Sequence, residues 1–166
     1  HLRVDAYVVV CGTLCIAVLA ALAALTRTAL VFPSLGAVAY TMFAHPLSRA
    51  ARPREVVLGL WIGIGIGYVS ALAFGLDRGD FADLAGDWRH VGSASVALAV
   101  TTAALLLTRI DHPPACSTAL LVALGIWRPW QIAALAGGAV VLVALGFGMN
   151  RLAGLPYPLW KERRSG

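Results

Sequence analysis

Four long apolar stretches constrain this chain more than any other feature. They are Val4–Leu25, Val56–Leu76, Val91–Thr108 and Ile132–Met149. Apart from Asp5, at the edge of the first, none contains an Asp, Glu, Lys or Arg residue. A helix rises about 1.5 Å per residue, so each stretch is long enough to cross a hydrocarbon core about 30 Å thick. Because lipid offers the backbone no hydrogen-bond partners, we predict that all four are membrane-spanning α-helices.

The composition of the chain also indicates a membrane protein. Of its 166 residues, 60% are hydrophobic and only 13% are charged, and the charges are grouped between the apolar stretches. Soluble domains carry about 25% charged residues. The net charge is +5, but no basic run is long enough to predict nucleic-acid binding. We therefore expect one compact helical bundle in a lipid bilayer, of the bacterial inner-membrane type.

Two further apolar segments are too short to cross the membrane alone. Pro33–Ala44 and Pro114–Ile126 each begin with proline and lie between full-length stretches. As helices they would reach only roughly 18–20 Å. Short segments interrupted by Gly or Pro, at matching points of two halves, are typical of the solute site of a transporter. We therefore predict a transporter or channel whose path lies where the two short helices meet.

The landmarks around the short segments occur twice in the same order. The first set is Thr26-Arg27, Pro33 and Arg52-Pro53, and the second set is Thr108-Arg109, Pro114 and Arg128-Pro129. This order indicates a weak internal duplication within a single membrane domain, residues 1–166. Residues 1–76 form the first predicted repeat and residues 91–150 form the second.

The distribution of basic residues tests whether the short segments cross. If all six segments cross, one side holds Arg3, Arg49, Arg52, Arg54, Arg109, Arg151, Lys161, Arg163 and Arg164, and the other holds Arg27, Arg78, Arg89 and Arg128. If the short segments turn back instead, the two sides are nearly equal. The positive-inside rule therefore favours six crossings with both termini in the cytoplasm, and three crossings per repeat make the repeats inverted.

The connections outside the repeats are amphipathic. The linker, residues 77–90, places acidic residues on one helical face and apolar residues on the other: Asp80, Asp83 and Asp87 against Phe81, Leu84, Ala85 and Trp88. We expect this linker to lie flat in the membrane interface. The tail, residues 151–166, is basic, and we expect its Tyr157 and Trp160 to anchor at the headgroups.

At the second short segment the sequence resembles a known family. The run Asp111–Leu120, which begins Asp-His-Pro-Pro, resembles the HPP family of integral membrane proteins, as do Phe32–Ala37 and Arg52–Arg54. The resemblance covers most of the chain and implies a transporter, with nitrite as the solute of some members. The chain departs from the family pattern at Cys116-Ser117, where the family has Gly-Ala, and at Glu55, where it has Asn.

The starts of the two short helices form a candidate site for a small inorganic anion. A helix start leaves backbone amides unpaired and carries the positive end of the helix dipole. The candidate groups are the amides of Ser34, Leu35 and Gly36 in the first short helix, the amides of Ala115, Cys116 and Ser117 in the second, and the hydroxyls of Ser34, Ser117 and Thr118. The alternative is that these hydroxyls only cap and pack the helices.

His112, which precedes the double proline, has more than one candidate role. It can donate a hydrogen bond to the anion, or gate passage by taking a proton, because histidine ordinarily titrates near neutral pH. It can equally fix the approach to the helix by bonding to the backbone. We expect Arg109 and Asp111 to pair and orient His112, with Arg27 as the matching charge in the first repeat.

Two other functions stay open at the level of sequence. A copper-like metal could be carried by Cys11 and Cys15, which share a helix face, together with His45 or His112. An enzyme could use Ser117 with His112 and Asp111, although such groups usually come from separate elements. No charged residue lies in the middle of a long stretch, so either passive conduction or coupling through His112 remains.

The sequence therefore predicts an all-α integral membrane protein with four full spans, two short proline-led helices and inverted three-helix repeats. Gly59, Gly63 and Gly67 follow the small-xxx-small spacing of close helix contacts, within the bundle or between copies in a homo-oligomer. The predicted function is transport of a nitrite-like anion, without enzymatic activity and without a cofactor or resident metal.

Overall fold

The chain is helical throughout the part that the structure describes. A computed structural model of the protein describes residues 2–28, 30–76, 87–125 and 128–157. In these ranges the helices are α1 (Leu2–Thr26), α2 (Ser34–Ala44), α3 (Pro53–Ala73), α4 (Trp88–Thr108), α5 (Pro114–Ala123) and α6 (Pro129–Leu152), with a 3-10 turn at Arg49–Ala51. The helices long and apolar enough to span a membrane are α1, α3, α4 and α6. The predicted all-α membrane fold is confirmed.

Proline and glycine set the ends of several helices. α3, α5 and α6 each begin at a proline, which lacks the N–H donor that a first helical turn leaves unpaired. α3, α4 and α6 start three residues before the predicted apolar stretches, because their first turns are partly polar. α3 and α5 end earlier than predicted because Gly75 and Gly125 turn the chain with φ of 64° and 73°. Glycine adopts this conformation without steric strain.

The repeated Thr-Arg landmarks have the same local structure. Thr26 and Thr108 each donate a hydroxyl hydrogen bond of 2.6 Å to the carbonyl four residues earlier. Arg27 and Arg109 then leave their helices with φ of 51° and 56°, the left-handed conformation that commonly ends a helix. After each arginine the next helix among the described residues is a short one, α2 or α5. The matching sequence landmarks are therefore matching turns.

A glycine stripe on α3 brings α5 into close contact. Cβ atoms built on Gly59, Gly63 and Gly67 would lie 2.7, 2.4 and 2.5 Å from His112 Cβ, the Ala115 carbonyl oxygen and the Ala119 carbonyl oxygen, respectively. The neighbours advance along α5 as the glycines advance along α3, so the two helices run parallel. The prediction that this glycine face is buried against another helix is confirmed.

α2 packs on α6 in a similar manner. A Cβ atom on Gly138 would lie 2.3 Å from the Leu30 carbonyl oxygen, and one on Gly146 would lie 2.5 Å from Met42 Cε. The helix pairs with the more extensive contacts are α1–α2, α1–α6, α2–α5, α2–α6, α3–α4, α3–α5, α3–α6 and α4–α5. Exchanging α1, α2 and α3 with α4, α5 and α6 gives the same pairs. This is the pairing expected of two copies of a three-helix unit, although the duplication itself stays a prediction.

Successive helices alternate in direction. Three hydrogen bonds join residues near or just before the start of one helix to residues near or just after the end of another. They are Tyr7 with Asn150 (α1 and α6), Ala51 with Tyr157 (before α3 and after α6) and Arg89 with Phe74 (α4 and the end of α3). Combined with the parallel pairs α3–α5 and α2–α6, this makes each helix run opposite to the preceding one. The short helices therefore have the direction expected of crossing segments.

The predicted connections lie mostly outside the described residues. This applies to residues 77–86 of the acidic linker and to Trp160 and the basic residues after it. Tyr157 is described, and the prediction that it anchors at the headgroups is wrong. Its side chain is buried beside the Phe147 ring, and its phenol donates to the Ala51 carbonyl. Burial raises the pKa of the Tyr157 phenol, which therefore keeps its proton and remains a donor.

Candidate functional site

Both short helices begin about halfway along a long helix. The carbonyl oxygen of Ala115, in the first turn of α5, lies against Gly63, the middle residue of α3. The approach to α2 lies against Gly138, near the middle of α6, through the carbonyl oxygen of Leu30. The two short helices, of 11 and 10 residues, therefore each occupy about half of the bundle's length.

The two short helices meet through a buried pair of hydroxyls. Ser34 Oγ, at the start of α2, lies 2.6 Å from Thr118 Oγ1 on α5. Ser34 is 6% exposed and Thr118 is 0% exposed. The structure thus brings together two predicted site residues that are 84 positions apart in the sequence.

The hydrogen atoms of this hydroxyl pair are already used. Thr118 Oγ1 lies 3.0 Å from the Pro114 carbonyl oxygen, which can only accept, so Thr118 donates there. Ser34 then donates to Thr118. Ser117 also donates to Pro114, over 2.9 Å, and is exposed, so it does not join the buried pair. In this conformation the contact between the short helices is closed and offers a solute no hydroxyl donor.

The prediction that the amides of Leu35, Gly36, Ala115 and Cys116 are unpaired is wrong. They donate to the carbonyls of Phe32, Pro33, His112 and Pro113, over 3.0, 3.2, 3.0 and 3.1 Å, respectively. The reason is that Pro33 and Pro113 themselves have helical φ and ψ, so each helix is entered through a tight turn that starts one residue earlier. Such turns commonly satisfy orphan groups at helix ends.

His112 is buried in the link between α4 and α5. It is 1% exposed, and its Nδ1 lies 3.2 Å from the Ala50 carbonyl oxygen. Its Cβ and ring lie directly against Gly59, where a side chain would collide with them. The ring therefore bonds to the backbone and fixes the approach to α5, which is one of the roles predicted for it. Among the described residues, Nε2 of His112 has no hydrogen-bond partner.

Glu55 holds the same link and was not predicted as a site residue. Its carboxylate Oε2 accepts the Asp111 backbone N–H over 2.9 Å, and Glu55 is only 4% exposed. Arg49 Nε lies 3.9 Å from Glu55 Oε1, and the Arg49 guanidinium donates to the Arg109 carbonyl. The sequence signal that could have pointed to Glu55 is its place in the first turn of α3, after Pro53, because carboxylates are favourable at helix starts.

The predicted supporting residues act through their backbones. Arg109 contributes its carbonyl and Asp111 its N–H, while both residues are exposed, and no ion pair between them occurs in the described part of the chain. Arg27 is exposed at the end of α1. Cys116 Sγ lies 3.7 Å from Thr102 Oγ1 on α4, away from the Ser34 hydroxyl.

The opposite end of α5 is fixed by two serines. Ser93 on α4 donates to the Ala123 carbonyl over 2.8 Å, and Ser70 on α3 donates to the Ser93 carbonyl over 2.8 Å. Both serines are buried. α5 is therefore held at both ends and along the glycine stripe.

The residues suggested for a metal do not come together. Over residues 2–28, 30–76, 87–125 and 128–157, no three His, Cys, Asp or Glu side chains are grouped as metal ligands. Cys11, Cys15 and Cys116 are free thiols, and Cys15 Sγ lies 3.9 Å from the Leu142 carbonyl oxygen within the core. Cys15 is therefore a packing residue.

Comparison with known proteins gives the same family as the His-Pro-Pro run. A transmembrane protein of Dictyostelium discoideum is 26% identical over 135 residues, covering 76% of this chain and 44% of that protein. This chain therefore spans less than half of that relative's length. No solved structure matches. The family model described as HPP, transmembrane region, matches residues 1–158, nearly the whole sequence. The chain belongs to the HPP family of transmembrane proteins.

Proposed function

We propose that this protein transports a small inorganic anion, such as nitrite, along a path between α2 and α5. The observation that carries the proposal is the buried contact of Ser34 with Thr118, where two half-length helices meet midway along the bundle. Interrupted helices that meet near the bilayer midplane are the usual place for a transporter's solute site. The conformation described above corresponds to a closed state.

Opening of this contact would provide donors for an anion. If α2 moves away from α5, Ser34 loses its acceptor and its hydroxyl can turn toward a solute. Both helices direct their N-termini, the positive ends of their dipoles, toward this region. An anion entering between the helices would therefore replace the hydrogen bond that closes the path.

The charges of the chain favour an anion over a cation. Arg49, Arg52, Arg54 and Arg109 lie at the end of the bundle where α3 begins, and the net charge is +5. The acidic residues within the described helices are Asp5 and Glu55, both in first turns. The arginines would repel a cation that enters at this end, and the described helices offer a cation no carboxylate midway through the bundle. An anion would be attracted to the same entrance.

The experiment is a flux panel in reconstituted vesicles. Purified protein is inserted into liposomes, and uptake of nitrite, nitrate, formate, chloride and copper is measured side by side against protein-free vesicles. We expect saturable uptake of nitrite or another small anion. Saturable copper uptake without anion uptake would instead support a metal transporter, and absence of uptake for every anion would reject the proposal.

A further inference from the structure

His112 has one ring nitrogen committed to the backbone and one without a partner. A carbonyl oxygen only accepts hydrogen bonds, so Nδ1, 3.2 Å from the Ala50 carbonyl, carries the hydrogen. In the neutral ring Nε2 is then an acceptor with a free lone pair. No donor reaches it from the described residues, although His112 is 1% exposed. A buried, unsatisfied polar atom in a well-packed protein calls for a functional explanation.

Charged and titratable groups of both signs surround this histidine. The elements packed around it contribute four arginines (Arg49, Arg52, Arg54 and Arg109), two carboxylates (Glu55 and Asp111) and the phenol of Tyr157. Glu55 is already engaged by the Asp111 N–H and by Arg49. On α3 the ring itself faces Gly59, which presents no polar side chain. The nearby Asp111 carboxylate favours a protonated ring, but it is exposed and makes no hydrogen bond to Nε2, so Nε2 is left to pair with an anion from outside the protein.

We propose that Nε2 of His112 takes up a proton together with the transported anion, so that the protein carries the two as a pair. This inference rests on the proposed function, because it names the ion that accompanies the anion. The position of the residue agrees with the role. The His112 carbonyl accepts the Ala115 amide, so His112 lies at the positive end of α5, the helix that carries Thr118.

The proton balance of the step is simple. A proton from water on one side of the membrane forms a bond with the Nε2 lone pair, and the new N–H donates to the anion. On the other side, the proton returns to water as the anion leaves, and nothing is oxidised or reduced. A single buried charge is unfavourable, but an imidazolium with an anion is a neutral pair. Proton and anion binding therefore strengthen each other equally.

The first test measures proton uptake on anion binding. A sodium nitrite solution already adjusted to pH 5.5 is added to unbuffered, detergent-solubilised protein at the same pH, and the pH change is titrated back. We expect uptake approaching one proton per chain. His112→Asn keeps an N–H donor for Ala50 but cannot be protonated, and should take up none. His45→Gln alters an exposed histidine and should match the parent. Equal uptake by His112→Asn and the parent would overturn the proposal.

The second test measures the ratio of protons to nitrite in vesicles of the parent protein, so it does not depend on a variant folding. The membrane potential is clamped to zero, lumenal pH is read with a trapped dye, and the leak of protein-free vesicles is subtracted. We expect one proton per nitrite. Nitrite entry without protons would reject the paired carriage and leave the proposed function standing. Proton uptake in detergent without nitrite entry would show that the two ions bind together but would reject both the transport function and the paired carriage.

Discussion

Replacement of Gly63 by alanine tests the close packing of α3 on α5. A Cβ atom at this position would lie 2.4 Å from the Ala115 carbonyl oxygen, whereas ordinary contacts begin at 3.4 Å. α5 must therefore move by about 1 Å, and such overpacking costs about 1–3 kcal/mol. Gly65→Ala is the matched control, because a Cβ atom there meets nothing within 4 Å. Both changes gain a similar helix propensity of up to about 1 kcal/mol, which cancels in the comparison.

The difference between these two variants is measured by thermal unfolding. A chain of this length loses about 2–4 °C of Tm per kcal/mol, so Gly63→Ala should unfold about 2–12 °C below Gly65→Ala. The assay follows tryptophan fluorescence of both variants in the same detergent. Equal Tm values for the two proteins would show that α3 and α5 are not packed as described, and would remove the basis for placing the start of α5 midway along the bundle.

Two further substitutions test the site. Ser34→Ala removes the hydroxyl that would donate to the anion once the contact opens, and should raise the KM for nitrite uptake by about tenfold or more, the effect of losing one hydrogen bond to a charged group. Thr41→Val, which removes a hydroxyl bonded within the same helix, should leave KM unchanged, and equal effects of the two changes would exclude Ser34 from the path. Glu55→Ala leaves the Asp111 amide without its acceptor and should lower the free energy of unfolding by about 1.5–3 kcal/mol in chemical denaturation. Asp111→Asn changes only an exposed side chain, so its free energy of unfolding should lie within about 0.5 kcal/mol of the parent's. A larger loss of unfolding free energy in Asp111→Asn than in Glu55→Ala would refute the hydrogen bond from the Asp111 backbone to Glu55.

The sequence predicted the helices and their meeting point because these depend on strong, simple signals. Uncharged stretches of membrane length define the spans, and the small-xxx-small spacing at Gly59, Gly63 and Gly67 defines a close contact. The proline-led short segments also predicted which starts come together, which the hydrogen bond of Ser34 with Thr118 bears out. Each of these signals lies within a local stretch of sequence.

The hydrogen bonding at the site could not be predicted in the same way. The residue before a proline usually avoids helical geometry, which favours a helix that starts at Pro114 with free amides. Pro113 nevertheless has φ of −53° and ψ of −35°, and the turn it begins pairs two of those amides. The role of Glu55 depends on an amide 56 residues away, which no local pattern reveals.

A reversible cross-link between α2 and α5 tests the central claim most directly. Cysteines replace Ser34 and Thr118, whose oxygens are 2.6 Å apart, in a background where Cys11, Cys15 and Cys116 are alanine. A disulfide requires Cβ atoms about 3.5–4.5 Å apart, and nitrite uptake is measured before oxidation, after oxidation and after reduction. We predict that oxidation reduces nitrite uptake to that of protein-free vesicles and that reduction restores it. Oxidation should not change the uptake by a protein that carries only one of the two cysteines. Fully cross-linked protein that carries nitrite at the reduced protein's rate would contradict a path between the short helices.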